Sequence, residues 1–178
     1  MTTITPGTWV ADPTHTEIGF SVRHLMSKVR GKFETFSSSL TTADDITASG
    51  VEVEVELSSV NTGTADRDNH LRSGDFFSVE TTPKMTFRST DVLVKGDNEL
   101  VVSGDLTIKG VTKPLELKAE LLGEGGDPWG GTRVGIEATG EISRKAFGID
   151  FNIPLEGDKV MIGDKITITI NAEYVLQA

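Results

Sequence analysis

Three histidines, His15, His24 and His70, are the side chains in this sequence that ordinarily titrate near neutral pH, and the chain has no cysteine. Disulfides, thiolate metal sites and cysteine nucleophiles are therefore excluded. A three-histidine zinc site would need all of these residues plus an open position. None stands in a His-x-x-x-His spacing, and His15 and His24 fall on a segment that reads as extended, so no metal ion is assigned. Around His70 the chain sets Arg67, Asp68, Arg72 and Asp75. His70 with Asp68 or Asp75 could act as a general base, but nothing in the spacing separates such a pair from a structural contact. Gly-x-Ser-x-Gly, a phosphate-cradling loop and a dinucleotide fingerprint are all absent. No catalytic residue and no cofactor follow. What remains is recognition: a histidine buried for structure, or His and Arg side chains meeting a ligand headgroup. Arg67 and Asp68 either pair with each other or strand-end backbone, or join that contact. The expectation is that His15, His24, Arg67, Asp68 and His70 gather near one end of the fold.

Those side chains must be held by β-strands. Val51–Leu57 alternates without fault, with Val and Leu on one face and Glu52, Glu54 and Glu56 on the other. The same period runs through Glu17–Arg23, Leu100–Ile108, Leu115–Leu121, Val134–Ile142 and Ile166–Tyr174. Strict period-two alternation means antiparallel strands with one dry and one wet face. Shorter strands are expected around Lys32–Phe36, Met85–Val94 and Phe147–Ile153. Gly- or Pro-bearing clusters at Lys95–Asn98, Lys109–Pro114, Gly123–Gly131 and Glu156–Asp158 punctuate them. The dry faces assign Phe20, Val22, Val53, Val55 and Phe87 to an inner wall, together with Leu106, Ile108, Ile136, Ile142 and Ile168. Phe33, Phe76, Phe77 and Phe147 join them from turns or from the one helical stretch. Gly104, Ala138, Gly140 and Ala172 are small inward positions that either fit a barrel's taper or leave a cavity.

Thr64–Phe77 departs from the strand pattern. Thr64 can cap a short helix, Asp68 and Arg72 stand at i and i+4, and Gly74 can end it. Phe76 and Phe77 should anchor that helix on the apolar interior, where it plugs one end of a barrel, rims a ligand site, or both. The Gly-rich stretch around Trp129 reads as a permissive hairpin loop with an anchoring Trp, or as a lid over a barrel mouth or a dimer contact. Alternation does not separate barrel from sandwich, but long strands with short connections favour a barrel.

Composition sets the wider bounds. With 27 Asp+Glu against 17 Lys+Arg the net charge is −10. That argues against broad contact with nucleic acid or anionic lipid headgroups. The length suits one domain, 1–178, with no internal repeat or linker. No apolar run approaches the roughly 18 residues of a membrane helix. Met1–Trp9 has no basic residue and no apolar stretch, so with Met1 as the start the protein is expected to be cytoplasmic.

Four blocks carry a resemblance: Trp9–Met26 running into Val29–Phe33, Arg67–Phe77 followed by Pro83–Thr90, Gly104–Pro114, and Ser143–Ile149. In that order, across nearly the whole chain, they resemble the YceI-like polyisoprenoid-binding family. The resemblance implies an all-β, antiparallel, lipocalin-like barrel of about eight strands, with the short helix covering one end. It implies a long apolar cavity for a polyisoprenoid or isoprenoid quinone-like lipid, and a possible homodimer. Many members carry a signal peptide, which this sequence lacks as printed. The inner-wall residues above, with His24 and His70, become the candidate ligand contacts, and His15, Arg67 and Asp68 a candidate polar cluster. Two other function classes stay open: an enzyme acting on such a lipid through the His/Arg/Asp cluster, and a stress-related interaction protein with a filled barrel.

Overall fold

The computed structural model describes residues 3–155 and 160–178. The strands among them are β1 (Gly7–Ala11), β2 (Glu17–His24), β3 (Ser27–Phe33), β4 (Phe36–Thr42), β5 (Gly50–Glu56) and β6 (Val60–Asn61). After α1 (Ala65–Arg72), the one α-helix among the described residues, follow β7 (Lys84–Gly96), β8 (Glu99–Ile108), β9 (Val111–Gly126), β10 (Thr132–Ser143) and β11 (Ile162–Leu176). All pairings are antiparallel. The order β1-β4-β5-β7-β8-β9-β10-β11 returns to β1 through Trp9↔Leu176 and Ala11↔Tyr174, closing a ring of eight strands. Closure leaves no edge on that ring.

β11 is long enough to serve two partners on one side. Its last residues pair with β1, and its stretch from Ile162 to Asn171 pairs with β2, which carries on to β3 and β6. The switch occurs at Asp12–Thr16. Asp12 N–H donates to the Glu173 carbonyl at 2.8 Å, and the Thr16 hydroxyl accepts from Glu173 N–H at 3.2 Å. Pro13 brings no N–H to this jog, so no ladder donor is lost.

The alternation has the expected sense. Val55 is buried while Glu52 and Glu54 face water and pair with Arg88 and Lys84 on β7. Leu115, Leu117, Ala119 and Leu121 of β9 are all buried, between exposed Glu116, Lys118 and Glu120. Lys109 and Gly110 close the β8–β9 hairpin with φ of 54° and 77°, as two-residue hairpin turns require. That turn is shorter than the sequence suggested: Val111–Pro114 already belong to β9, and at the far end β9 runs on to Gly126.

Three expectations need correction. Lys32–Phe36 is not one strand, because Glu34 and Thr35 separate β3 from β4. Phe147–Ile153 is not a strand. Lys145–Phe147 forms a single 3-10 turn ending at Gly148 (φ 74°), and the segment beyond has no ladder partner. Its reason is Arg144, whose guanidinium takes the Ile149 and Phe151 carbonyls, each at 2.9 Å, that a neighbouring strand would have used. Helix α1 stops at Arg72 and is capped differently from expectation. Thr64 makes no side-chain cap, and Ser73 rather than Gly74 ends the helix with its N–H on the His70 carbonyl. The expected Glu156–Asp158 turn lies outside the described residues. Strands β1 and most of β4 carry too little apolar alternation to be read from sequence. Among the described residues no helix is long and apolar enough to cross a membrane.

Candidate ligand chamber

The ring encloses space. A chamber of about 270 Å³ lies under α1, and a second of about 100 Å³ lies deeper along the barrel. Ile18, Val53, Phe87, Leu117 and Ile170 line both and form the partition between them. Ile4 and Ile46 line the deeper chamber at its closed end. Nearer the partition, where Ser38 pairs with Val53, Ser38 and Tyr174 meet at 2.7 Å, and Ser38 donates to the Glu52 carbonyl at 2.9 Å, so the Tyr174 hydroxyl is the donor to Ser38. Burial pushes the Tyr174 phenol up from its ordinary pKa.

Of the apolar residues expected on the inner wall, Phe20, Val22, Phe33, Val53 and Val55 line the upper chamber. So do Phe76, Phe77, Phe87, Leu106, Ile108, Ile142, Phe147 and Ile168. Ile136 does not: it lines the deeper chamber, beside its ladder partner Leu121. α1 is positioned by the aromatics after it. Phe77 leans on Phe33 with ring centroids 5.9 Å apart, and Phe76 on Phe151 at 5.3 Å.

The polar residues divide into two places. His24, Arg67 and His70 stand at the upper chamber. Arg67 and Asp68 do not pair directly. Both close on Thr62: Arg67 Nε donates to the Thr62 hydroxyl at 2.7 Å, and the buried Asp68 accepts the Thr62 N–H at 2.9 Å and its hydroxyl at 2.5 Å. Arg72, the expected i+4 partner of Asp68, instead donates to the Ser58 and Val60 carbonyls. His70 stands edge-on between Phe76 and Phe151 at 5.0 and 4.8 Å, its Nε2 on Asp75 at 2.8 Å. His15 is elsewhere. It bonds Asp12 at 2.8 Å, and the same carboxylate meets Arg133 at 2.7 Å, beside Glu173 near the far end of β11. Strand β2 (Glu17–His24) lies between His15 and His24 and, at about 3.3 Å per residue, sets them at its opposite ends. Trp129 is also at that far end, 77% exposed with Arg133 5.7 Å over its ring, so it neither anchors in the core nor covers the mouth.

Sequence reasoning missed Arg144. It is 3% exposed, lines the chamber and donates to four backbone carbonyls, of Gly163, Ile149, Phe151 and Ile162, at 2.8–3.2 Å. Burial pulls its pKa down, against the attraction of Asp164 and Asp150. Ile149, Phe151 and Ile153 were missed too, although their alternation with Phe147 was in view. Among the described residues no buried side-chain nitrogen or oxygen lacks a hydrogen-bond partner. The chamber walls therefore offer a guest apolar surface, with polar contact confined to the mouth. Among the same residues no group of three His, Asp or Glu is placed to hold a metal ion.

Known proteins share this architecture. A UPF0312 protein of Photorhabdus laumondii is 47% identical over 135 residues, covering 75% of this chain and 70% of the relative. One from Pseudomonas aeruginosa is 43% identical over 141 residues, 78% of this chain and 73% of its own. Among solved structures, the YceI protein of Campylobacter jejuni superposes with a TM-score of 0.74 at 30% identity over the whole of both chains. BcnA of Burkholderia cenocepacia shares the fold at TM-score 0.81 and 18% identity, covering 92% of this chain and 98% of its own. A polyisoprenoid binding domain from Saccharophagus degradans shares it at 0.71 and 16%, covering 95% and 98%. The YceI-like domain matches residues 9–174, from the strand that closes the ring to the strand it closes upon. With that span and relatives of this identity, the chain belongs to the YceI-like family.

Proposed function

We propose that this barrel binds a polyisoprenoid or isoprenoid quinone-like lipid, the chain in the upper chamber and the polar end at the mouth. The observation that carries the reading is the apolar chamber beneath α1, whose walls leave no buried polar group unmet. The polyisoprenoid binding domain of S. degradans, which has the same fold, supports the ligand class. Burying a methylene is worth roughly 0.8 kcal/mol, so each five-carbon unit contributes about 3–4 kcal/mol before ordering costs. Several units are needed to exceed those costs, and they then hold the chain without a charged contact. His24, Arg67 and His70 are the proposed headgroup neighbours; Asp68, through Thr62, holds Arg67 in place. Binding for carriage, storage or sensing, rather than bond-making, is the proposed activity.

Organic extraction of protein purified from its native host, read with native mass spectrometry, tests this. The expected result is a prenyl lipid in the extract and a matching mass on the intact protein. Empty extracts, with no uptake of added prenyl lipid by the purified protein, would overturn it.

A further inference from the structure

The β2–β3 hairpin is built unlike the other hairpins. Its two-residue turn is Leu25–Met26, with Leu25 held at φ 55°. Such turns favour Asn, Asp or Gly, and a bulky apolar residue there costs local strain. Both side chains face water: Leu25 is 54% and Met26 98% exposed. Met26 adds nothing to the core, and Leu25 only part of its side chain. Directly below the turn, the outer face of the hairpin carries Arg23 and Lys28 side by side, then Arg30 and Lys32. All four are exposed, and no carboxylate among the described residues pairs with them. The rest of the surface is acidic enough to bring the net charge to −10. Among the described residues, exposed apolar side chains also stand on the other wall of the mouth. Leu25 N–H donates to the Met161 carbonyl at 2.8 Å, tying the turn to the bridge Pro154↔Val160, where Ile153, Leu155 and Val160 are exposed.

We propose that this rim docks the barrel mouth-first on an anionic lipid bilayer. Leu25 and Met26 enter the headgroup layer, and Arg23, Lys28, Arg30 and Lys32 meet the lipid phosphates. An apolar tip flanked by cations fits that surface on both counts, hydrophobic and electrostatic. The four cations of this hairpin stand out on a molecule whose net charge is −10, so the same surface repels the acidic remainder and orients the hairpin toward it. Docked so, the upper chamber opens on the bilayer, since His24 and Val29 beside the turn line it. The inference goes beyond what the chamber holds, and vesicle binding is measured independently of lipid uptake.

The test is co-sedimentation of the full chain with phosphatidylcholine vesicles, plain or carrying about one-third phosphatidylglycerol. The wild type should sediment with the anionic vesicles at low salt and far less with neutral ones. Arg23→Gln, Lys28→Gln and Arg30→Gln together should lower the partition coefficient about a hundredfold, at roughly fivefold per cation. Met26→Ser should weaken binding severalfold with the charge unchanged. Leu93→Ser with Val94→Ser, an exposed apolar pair on β7, should leave it unchanged. Uptake of prenyl lipid from detergent solution should be the same in the wild type and the hairpin variants, with thermal melts verifying the fold of each. A wild type that stays in solution at low salt overturns the proposal and leaves the hairpin as a face for an acidic protein. Binding indifferent to the three Gln substitutions, or equal on both vesicles, overturns it equally.

Discussion

Arg144 and Arg133 show how one residue type does two structural jobs at opposite ends of the barrel. Arg144 sits in the chamber wall with backbone carbonyls as its hydrogen-bond partners, fastening the ladderless segment after β10 to the start of β11. Arg144→Ala leaves several buried acceptors unmet, each costing about 1–3 kcal/mol. The expected result is a loss of roughly 3 kcal/mol or more in chemical denaturation, with Arg144→Lys recovering only part because an ammonium cannot span the same carbonyls. Arg133 lies between Asp12 at 2.7 Å and Asp127 at 2.8 Å. The hydrogen bonds from His15 and then Arg133 hold the Asp12 carboxyl well below the usual carboxylate range. A carboxyl depressed in the folded state stabilises fully above its unfolded pKa of about 3.9, and that stabilisation fades as pH falls toward the folded value. Asp12→Asn should therefore cost about 2 kcal/mol at neutral pH. The gap between its melting curve and that of the wild type should narrow steadily as the pH is taken from about 5 down to 2. A gap independent of pH would remove Asp12 from the acid sensitivity of this fold. None of this was legible in the sequence. Asp12 and Arg133 are distant in the chain, and only ring closure through β1 and β11 brings them together.

At the scale of strands, period-two alternation was readable wherever branched aliphatics supplied it, as in β5, β8, β9 and β10. It failed where Ser and Thr dominate, as in Phe36–Thr42, or where alternation persists without a ladder, as from Phe147 to Ile153. The small inward residues divided in two for a physical reason. At Gly104 an added Cβ would lie 2.6 Å from the Phe87 ring, and at Gly140 2.8 Å from Leu117, so those glycines are filled from across the strand. Ala138 and Ala172, in contrast, line the deeper chamber and leave it open. Taper and cavity are both present, a few residues apart. Phe87 belongs to the partition, so Gly104→Ala should displace it as well as strain the β7–β8 ladder. Overpacking of this kind costs about 1–3 kcal/mol. Thermal melting should show that loss, and prenyl-lipid affinity should change with it because the floor of the upper chamber has moved. A variant as stable as the wild type would mean that Phe87 yields freely. The partition would then be a soft one.

For the whole molecule, the partition decides how long a chain the barrel accepts. The upper chamber alone is about 270 Å³, just under the range usual for small-molecule pockets, and the deeper one adds about 100 Å³. Val53, Phe87 and their neighbours separate the two by side chains only, with no strand or loop between. Rotation of those side chains would join them, and a longer chain would then gain apolar contact in the deeper space at roughly 0.8 kcal/mol per methylene. Affinity should thus rise with the number of isoprene units until the deeper chamber is full, then level off as further units stay at the mouth. Ala138→Leu places a branched side chain in that deeper space without touching the upper one. It should leave the affinity for the shortest prenyl chains unchanged and bring the plateau forward to a shorter length. Titrating wild type and variant with a series of prenyl alcohols gives both curves. Parallel curves, offset equally at every length, would mean that the chain never passes Phe87 and that the upper chamber alone sets the fit.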